Sequence, residues 1–255
     1  MAQEKRKPKP HWNPRATPAA PGLWLYGTHA VRAALENPRR RLHRLVATER
    51  AIEELGRQAI GRVRHEVASP DAIGKMLPPG AVHQGVALNC EKLPARDLED
   101  VLGSGTGKRR IVLVLDQITD PHNAGAILRS AAAFGVDAVV VQDRHAPPES
   151  GVLAKAASGA LDTVPIATVV NIARAMEQLG ERNFWRVALT GDGDQSLREA
   201  VSTGDVALVL GSEGSGVRRL VRERCDTTAF IPIEPAMESL NVSNAAAVAL
   251  YELRR

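Results

Sequence analysis

Three short polar stretches in the second half of the chain contain the side chains best suited to align a reacting group. The first follows the apolar run IVLVLD and contains Asn123 and, further along, Arg129. The second, GSEGSG, follows VALVL and contains Glu213 among glycines, which let backbone N–H groups approach a ligand closely. The third, ESLNVS, follows AFIPI and contains Ser239 and Asn241. Their order and spacing, more than any single residue, indicate an active site.

Each stretch also has an interpretation that involves no chemistry. Asn123 can cap the helix that follows Pro121, Gly135 can end that helix, and Ser243 can cap the last helix. The glycines of the second stretch can serve only to form a turn, and Arg129 can serve only to pair with a carboxylate. The prediction of an active site therefore rests on the three stretches taken together.

The scaffold that would position these stretches is indicated by the pattern from residue 110 onward. Apolar runs alternate there with helical patterns, and the runs are continuous, as in strands that are covered on both faces. The runs are IVLVLD, DAVVV, VPIATV, RVALT, VALVL and AFIPI, and the helical patterns are AGAILRSAAAF, ESGVLAKAASG, NIARAMEQLG, SLREAV and SNAAAVALYELRR. We predict an α/β fold with a parallel, doubly wound sheet, in which ligands bind beyond the carboxyl ends of the strands.

The rest of the chain divides into three further segments. Residues 1–22 are rich in Pro, Lys and Arg, which predicts a disordered basic arm. Residues 23–95 predict a small α/β unit, in which Thr28 caps the first helix, and residues 96–109 predict a linker to the unit at 110–255. The strands of the unit at 23–95 are predicted at LWLYG, LHRLVATE and AVHQGVALNCEKL, and its helices at THAVRAALEN and AIEELGRQAI.

The composition limits the possible partners. Apolar residues make up 44% of the chain and aromatic residues 3%, as suits helices of small aliphatic residues on a buried sheet. A net charge of +4 and a pI of about 9.3 permit a polyanionic partner. Cys90 and Cys225 belong to no C-x-x-C pair, so we expect free thiols and no metal. No run approaches the ~18 apolar residues that span a bilayer, and no signal peptide is visible. We expect a soluble cytoplasmic protein without a membrane partner.

The three stretches, in this order, resemble the three motifs of the SpoU/TrmH family, a branch of the SPOUT RNA methyltransferases. The patterns are D-x-x-x-D-P-x-N-x-G-A-x-x-R, L-V-L-G-S-E-G-x-G, and I-P-I followed by E-S-L-N-V-S-x-A-A-A, and they cover about residues 111–255. In the first half, LYGTHAVRAALEN and AVHQG resemble the RNA-binding domain of the 23S rRNA guanosine 2′-O-methyltransferase subgroup. One departure is visible, since Glu234-Pro235-Ala236 stands where the family usually has a glycine, and a proline restricts φ there.

The resemblance implies a fold, a cofactor and an assembly. Members of the family have a C-terminal trefoil knot that binds S-adenosylmethionine, and two chains pair through the knotted domain. By motif position, five residues are implied to bind the cofactor. They are Gly211, Ile231, Leu240, Thr190 and Ser243. The implied substrate is RNA, and the implied reaction is methyl transfer to a ribose 2′-hydroxyl, with guanosine in 23S rRNA favoured.

The resemblance also assigns a catalytic role to Arg129. Because arginine is effectively always protonated, a role as base is difficult. A guanidinium that clamps the adjacent phosphate and stabilises the developing alkoxide is easier. Our hypothesis gives Arg129 this second role, with the other polar residues orienting it and the ribose. These residues are Asn123, Glu213, Ser239 and Asn241.

Several alternatives stay open from sequence alone. Within the family, a tRNA guanosine 2′-O-methyltransferase is the second choice, and outside it a non-catalytic RNA-binding module. A nicotinamide-dependent oxidoreductase would need G-x-G-x-x-G, and the nearest segment, GDGDQS at 191–196, has Ser196 in place of the third glycine. A phosphate-binding loop at GSGTGK fails the G-x-x-x-x-G-K-[ST] pattern, because Leu102 and Arg109 occupy two required positions.

Overall fold

The computed structural model of the protein describes residues 22–103, 109–201 and 204–255. The predicted basic arm at 1–22 lies outside these residues apart from Gly22, and so does the middle of the predicted linker, 104–108. In the described part of the chain, no helix is long and apolar enough to cross a membrane.

The first unit is a small mixed sheet covered by helices. Its elements are β1 (Leu23–Tyr26), α1 (Thr28–Glu36), β2 (Leu42–Ala47), α2 (Glu49–Leu55), α3 (Arg57–Ile60), β3 (His65–Val67), α4 (Pro70–Gly74) and β4 (Val86–Cys90). The strand order is β1-β4-β2-β3, with β4 antiparallel to β1 and β2, and β3 parallel to β2. A short helix, α5 (Leu98–Val101), follows this unit.

Several sequence predictions for the first unit are wrong in detail. The motif AVHQG does not begin a strand, because Gln84 and Gly85 have φ of +54° and +78°, and β4 begins only after them. The single predicted helix AIEELGRQAI is two helices, broken at Gly56 with φ of +85°. Gly27 precedes α1 as its cap, so Thr28 lies inside the helix. Strand β3 and helix α4 were not predicted, since both are too short for a clear periodicity.

The second unit is a seven-stranded sheet between layers of helices. Its elements are β5 (Ile111–Asp116), α6 (Pro121–Ala133), β6 (Ala138–Gln142), α7 (Gly151–Ala157), α8 (Ala160–Thr163), β7 (Ile166–Val169), α9 (Ile172–Glu181), β8 (Trp185–Leu189), β9 (Gln195–Ser196), α10 (Leu197–Ala200), β10 (Val206–Gly211), α11 (Arg219–Arg222), β11 (Thr227–Phe230) and α12 (Val242–Arg254). The order is β7-β6-β5-β10-β8-β11-β9, and every pairing is parallel. The predicted α/β class with a parallel sheet is confirmed.

Strand β5 shows why the continuous apolar runs form central strands. All six of its residues are buried. Ile111, Leu113 and Leu115 face the core formed with α6, α7 and α12, while Val112 and Val114 face the opposite core, formed with α9. Because side chains alternate between the two faces of a strand, a strand covered by helices on both sides needs an apolar residue at each position.

The cap residues of the two helices nearest the predicted site differ from those expected. Asp120 caps α6, its side chain accepting a backbone N–H at 3.0 Å, so Asn123 lies inside the first turn. Asn241 caps α12, accepting the N–H of Ser243 at 2.9 Å. In α6 the proline at position 121 is the first helical residue, where its missing N–H is not needed, and the cap therefore precedes it. The predicted caps, Asn123 and Ser243, lie three and two residues too late.

The two units are joined by close packing and by a buried ion-pair cluster. A Cβ at Gly151 of α7 would lie 2.4 Å from the ring of Tyr26 in β1, so only glycine permits this contact. Arg40 of the first unit is fully buried at its side chain and pairs with Glu149 and Asp162 of the second. These contacts hold α7 and α8 against β1 and α1.

Candidate functional site

The first and second polar stretches meet because the strands before them are neighbours. Strands β5 and β10 pair in parallel, and Gly211 lies opposite Asp116 at their carboxyl ends. From β5, strands β6 and β7 are added toward one edge of the sheet, and β10, β8, β11 and β9 extend toward the other edge. The strand order therefore reverses between β5 and β10. Open parallel sheets bind ligands at such a point.

Three side chains, one from each polar stretch, form a closed hydrogen-bonded triangle. Asn241 Nδ2 donates to Glu213 Oε1 at 2.7 Å and to Asn123 Oδ1 at 3.0 Å. Asn123 Nδ2 also donates to Glu213 Oε1, at 3.1 Å. Two amide groups therefore converge on one carboxylate oxygen. The order and spacing of the three stretches predicted this convergence, although the residues are separated by 28 to 118 positions in the chain.

Ser243 fixes the orientation of Asn241 within this triangle. The Oδ1 atom of Asn241 accepts the backbone N–H of Ser243 at 2.9 Å and its hydroxyl at 2.6 Å. The acceptor side of the amide is thus held by α12, which leaves the donor side to face Asn123 and Glu213. Ser243, a predicted cofactor residue, therefore contacts a predicted catalytic residue.

An ion pair between the buried Asp116 and the partly exposed Arg218 holds the second stretch against the sheet. Asp116 is fully buried at the end of β5 and accepts the backbone N–H of Arg218 at 2.9 Å and its Nε at 2.7 Å. Arg218 Nη2 donates to Gln142 at the end of β6, at 2.9 Å. This pair was not predicted from the sequence, although Asp116 is the first residue of the first motif. An aspartate that ends an otherwise apolar run was the available signal, since a buried carboxylate needs a partner.

The glycines of the second stretch have separate tasks. A Cβ at Gly211 would lie 2.1 Å from the carbonyl carbon of Gly216, so this glycine is required because the loop folds back on it. Gly214 and Gly216 have φ of +88° and +64°, and nothing lies within 4 Å of a Cβ built there. The loop is therefore a tight turn whose outer backbone is open to a ligand.

The residues predicted to bind the cofactor gather at the ends of three neighbouring strands. Thr190 follows β8, Gly211 ends β10 and Ile231 follows β11, and these strands are adjacent in the order β10-β8-β11. Among the described residues the buried Thr190 hydroxyl forms no well-aligned hydrogen bond, although it contributes, after Arg222, to lowering the pKa of Asp192 below its usual range.

The segment 231–241 between β11 and α12 is almost entirely exposed. Leu240 and Ser239, predicted site residues, lie there next to Asn241, and Leu240 is 36% exposed. The N–H of Met237 donates to the carbonyl of Glu234 at 2.9 Å, which closes a turn. Pro235 occupies the second position of that turn, where its restricted φ is favoured. The departure from the family pattern is thus accommodated locally.

Arg129 does not join the triangle within one chain. It lies six residues after Asn123 on α6, which is about 9 Å along the helix axis and on a different face. Its exposed side chain lines a cavity of about 250 Å³ between α6, α1 and α8. Among the described residues it forms no ion pair and no hydrogen bond. A larger cavity, of about 430 Å³, lies between residues 92–96 and the ends of β5 to β7, and none of the predicted site residues lines it.

Two family models match this chain, one for each unit. Residues 110–251 match the SpoU rRNA Methylase family. Residues 24–95 match the family described as RNA 2′-O ribose methyltransferase substrate binding.

Curated relatives and solved structures match nearly the whole chain. The 23S rRNA (guanosine-2′-O-)-methyltransferase RlmB of Pectobacterium atrosepticum is 40% identical over 242 residues, 91% of this chain and 97% of that protein. The same enzyme of Escherichia coli strain K12 is 38% identical over 245 residues, with the same coverage. The SpoU methyltransferase AviRb from Streptomyces viridochromogenes has a TM-score of 0.77 at 24% identity, covering 91% of this chain and 89% of that one. An RNA methyltransferase of the TrmH family from Porphyromonas gingivalis has a TM-score of 0.72 at 26% identity, covering 91% and 88%.

Proposed function

Because the chain belongs to the SpoU rRNA methylase family, we propose that it transfers a methyl group from S-adenosylmethionine to the ribose 2′-hydroxyl of a guanosine in 23S rRNA. The observation that carries the proposal is the triangle of Asn123, Glu213 and Asn241, which unites the three motif stretches. Relatives that are 38–40% identical over 91% of the chain methylate guanosine in 23S rRNA, and this favours the same substrate here. An rRNA substrate implies a cytoplasmic location.

The residues expected to hold the cofactor fit a nucleoside with a sulfonium group. Thr190 offers a buried hydroxyl at the end of β8, and Ile231 and Leu240 offer apolar contact. The turn after Gly211 offers open backbone groups. Ser243 is linked to this turn by its hydrogen bond to Asn241, which in turn donates to Glu213. When bound, S-adenosylmethionine supplies a methyl group that is already activated for displacement.

The polar triangle suits the task of orienting the ribose. Glu213 Oε1 is held by both amides, so the carboxylate cannot rotate freely. Among the described residues no hydrogen bond reaches its other oxygen. This oxygen is available to accept a hydrogen bond from the ribose 2′-hydroxyl. Ser239 lies within the same exposed segment as Asn241 and supplements this contact. Positioning of this kind lowers the barrier because the reacting atoms are held in line.

Arg129 is proposed to bind the phosphate next to the target ribose and to stabilise the alkoxide that develops there. Its guanidinium is free of ion pairs among the described residues, so its charge is available to the substrate. A substitution Arg129→Lys keeps the charge and loses the bidentate geometry. We expect it to lower turnover strongly. Near-normal turnover with an unshifted pH profile would refute the clamp.

A homodimer and a C-terminal knot are part of the proposal. The outer face of α12 carries Val248, 45% exposed, and Tyr251, 58% exposed. Apolar side chains one turn apart on an exposed helix favour burial against a second copy. The bonds from Asn241 to the first turn of α6 and to the loop after β10 are what a threaded C-terminal segment would need. Light scattering of the wild type and of Tyr251→Arg tests the dimer, and a monomeric wild type would refute it.

The substrate is tested by mapping 2′-O-methyl groups in total RNA with and without the gene. The proposal predicts that one guanosine in 23S rRNA loses its mark. A mark lost from tRNA alone would favour the tRNA enzyme instead. Purified protein should also transfer labelled methyl groups to rRNA from the strain without the gene, and RNA binding without any transfer would favour a non-catalytic module.

A further inference from the structure

We propose that the RNA backbone next to the target nucleotide is bound in the cavity between the two units, by His29 and Arg32 of α1 together with Arg129 of α6. This inference rests on the proposed function, because it names the part of the substrate that the cavity holds. It assigns a binding role to His29 and Arg32, two residues of the stretch LYGTHAVRAALEN, for which the resemblance gave no individual roles.

The charges in the cavity wall favour an anion. Its lining includes three basic side chains, His29, Arg32 and Arg129, against one carboxylate, Glu36. In the ranges that the structure describes, none of the three basic groups forms an ion pair. A concave surface that gathers unpaired guanidinium groups is suited to a phosphodiester, which guanidinium binds through paired hydrogen bonds.

Arg32 is held in place without being neutralised. Its Nη2 donates to the backbone carbonyl of Glu54 at 2.7 Å, which anchors the side chain to α2. Its Nε is buried and has no hydrogen-bond partner among the described residues. A carbonyl carries no net charge, so the positive charge of Arg32 persists inside the cavity. A bound phosphate would supply the missing negative charge.

The two halves of the cavity are held at a set distance from each other. At Gly159, between α7 and α8, an added Cβ would lie 3.1 Å from the Cβ of Ala33 and 3.2 Å from the carbonyl oxygen of His29. Its φ is +97°, which side chains rarely adopt. The buried pairs of Arg40 with Glu149 and Asp162 join the same two units. The basic groups of α1 are therefore aligned with Arg129 before RNA arrives, which reduces the entropy lost on binding.

The experiment measures RNA binding and methyl transfer for Arg32→Ala, with full-length 23S rRNA transcript as the probe. Arg64→Ala is the matched control, because Arg64 is an exposed arginine of the same unit beside β3, the edge strand farthest from β1. We expect Arg32→Ala to raise the KM for RNA about tenfold and to leave cofactor affinity unchanged. The dependence of log K on log salt should become shallower by about 0.7 to 0.9, the value for one lost phosphate contact.

Two further variants separate charge from structure. Arg32→Lys keeps the charge but loses the paired hydrogen bonds, so it should restore the salt slope and only part of the affinity. His29→Ala should raise KM more than the control His65→Ala. If Arg32→Ala behaves as Arg64→Ala does, or if Arg32→Lys restores nothing, the inference is wrong. The proposed function is judged separately, by methyl transfer with the unaltered protein. If transfer is absent while Arg32→Ala still lowers the salt slope, the proposed function fails and the binding role stands.

Discussion

Removal of the Arg40 side chain should destabilise the protein more than removal of any exposed arginine. The Nε and Nη2 atoms of Arg40 each donate to the Asp162 carboxylate at 2.9 Å, and Nη1 donates to Glu149 and, at 3.0 Å, to the carbonyl of Glu91. The side chains of Glu149 and Asp162 are only 14% and 2% exposed. Burial opposes the charge of Arg40, but the two carboxylates outweigh it and raise its pKa.

The magnitude follows from what Arg40→Ala leaves behind. Both carboxylates would stay buried without their cation, and the loss of one partner from a buried ion pair costs about 3–5 kcal/mol. Since 1.4 kcal/mol corresponds to a factor of ten, the equilibrium constant for unfolding should rise roughly a hundredfold to a few thousandfold. Arg40→Met combined with Asp162→Asn should recover part of this loss, because one of the two buried charges is then removed.

Urea unfolding followed by circular dichroism measures the effect. The control is Arg50→Ala, because Arg50 is 88% exposed at its side chain and pairs with Glu54 on the same helix. A surface pair of this kind contributes about 0.3–0.5 kcal/mol. If Arg40→Ala lost less than about 1 kcal/mol, the cluster would behave like a surface pair. The reasoning from burial would then be refuted.

Three other predictions follow from single contacts. Asn241→Ala removes two of the three bonds of the triangle, so turnover should fall about a hundredfold, and retained turnover would contradict the proposed role. Cofactor affinity should fall by a smaller factor, because Ser243 loses its two bonds to Asn241. Burial opposes ionisation of Asp205, but hydrogen bonds from Arg110 outweigh it and lower its pKa below the ordinary 3.8. The stability it contributes is present above pH 3.8 and is lost as the pH falls through the lower folded value. Urea unfolding of wild type and Asp205→Asn should therefore differ at pH 7, begin to converge below pH 3.8 and agree only below the folded pKa. A difference independent of pH would contradict this. Burial raises the pKa of both Cys90 and Cys225 to about 12, so neither should react with a thiol reagent at pH 8 until urea is added, and rapid reaction of the folded protein would show that one is accessible.

The parallel sheet was predictable because its signal is local. Each central strand is a short apolar run. The runs are uninterrupted by polar residues because both faces of the sheet are covered. The strands of the first unit were harder to delimit. Gln84 and Gly85 adopt positive φ at a position that reads as the beginning of a strand, and the conformation is supported by long-range contacts, since Gln84 Oε1 accepts from Lys155 of α7 at 2.5 Å.

The polar triangle could be predicted only in part. The types and order of Asn123, Glu213 and Asn241 indicated that they act together, but the hydrogen bonds between them depend on the pairing of β5 with β10. The caps were placed wrongly for a related reason. Asp120 and Asn241 satisfy the first N–H groups of their helices, and nearby Asn and Ser residues have the same local preference, so only the actual helix start distinguishes them.

By itself, the sequence determined the α/β class, the three polar stretches and the residue types available for chemistry, because these depend on patterns within short segments. The tertiary structure decided which of those residues meet. It brought Asn123, Glu213 and Asn241 into contact, and it directed Arg129 toward α1 and the first unit instead. The reason is physical: strand order and the docking of the two units depend on contacts between residues far apart in the chain, such as Arg40 with Asp162, and no local pattern records them.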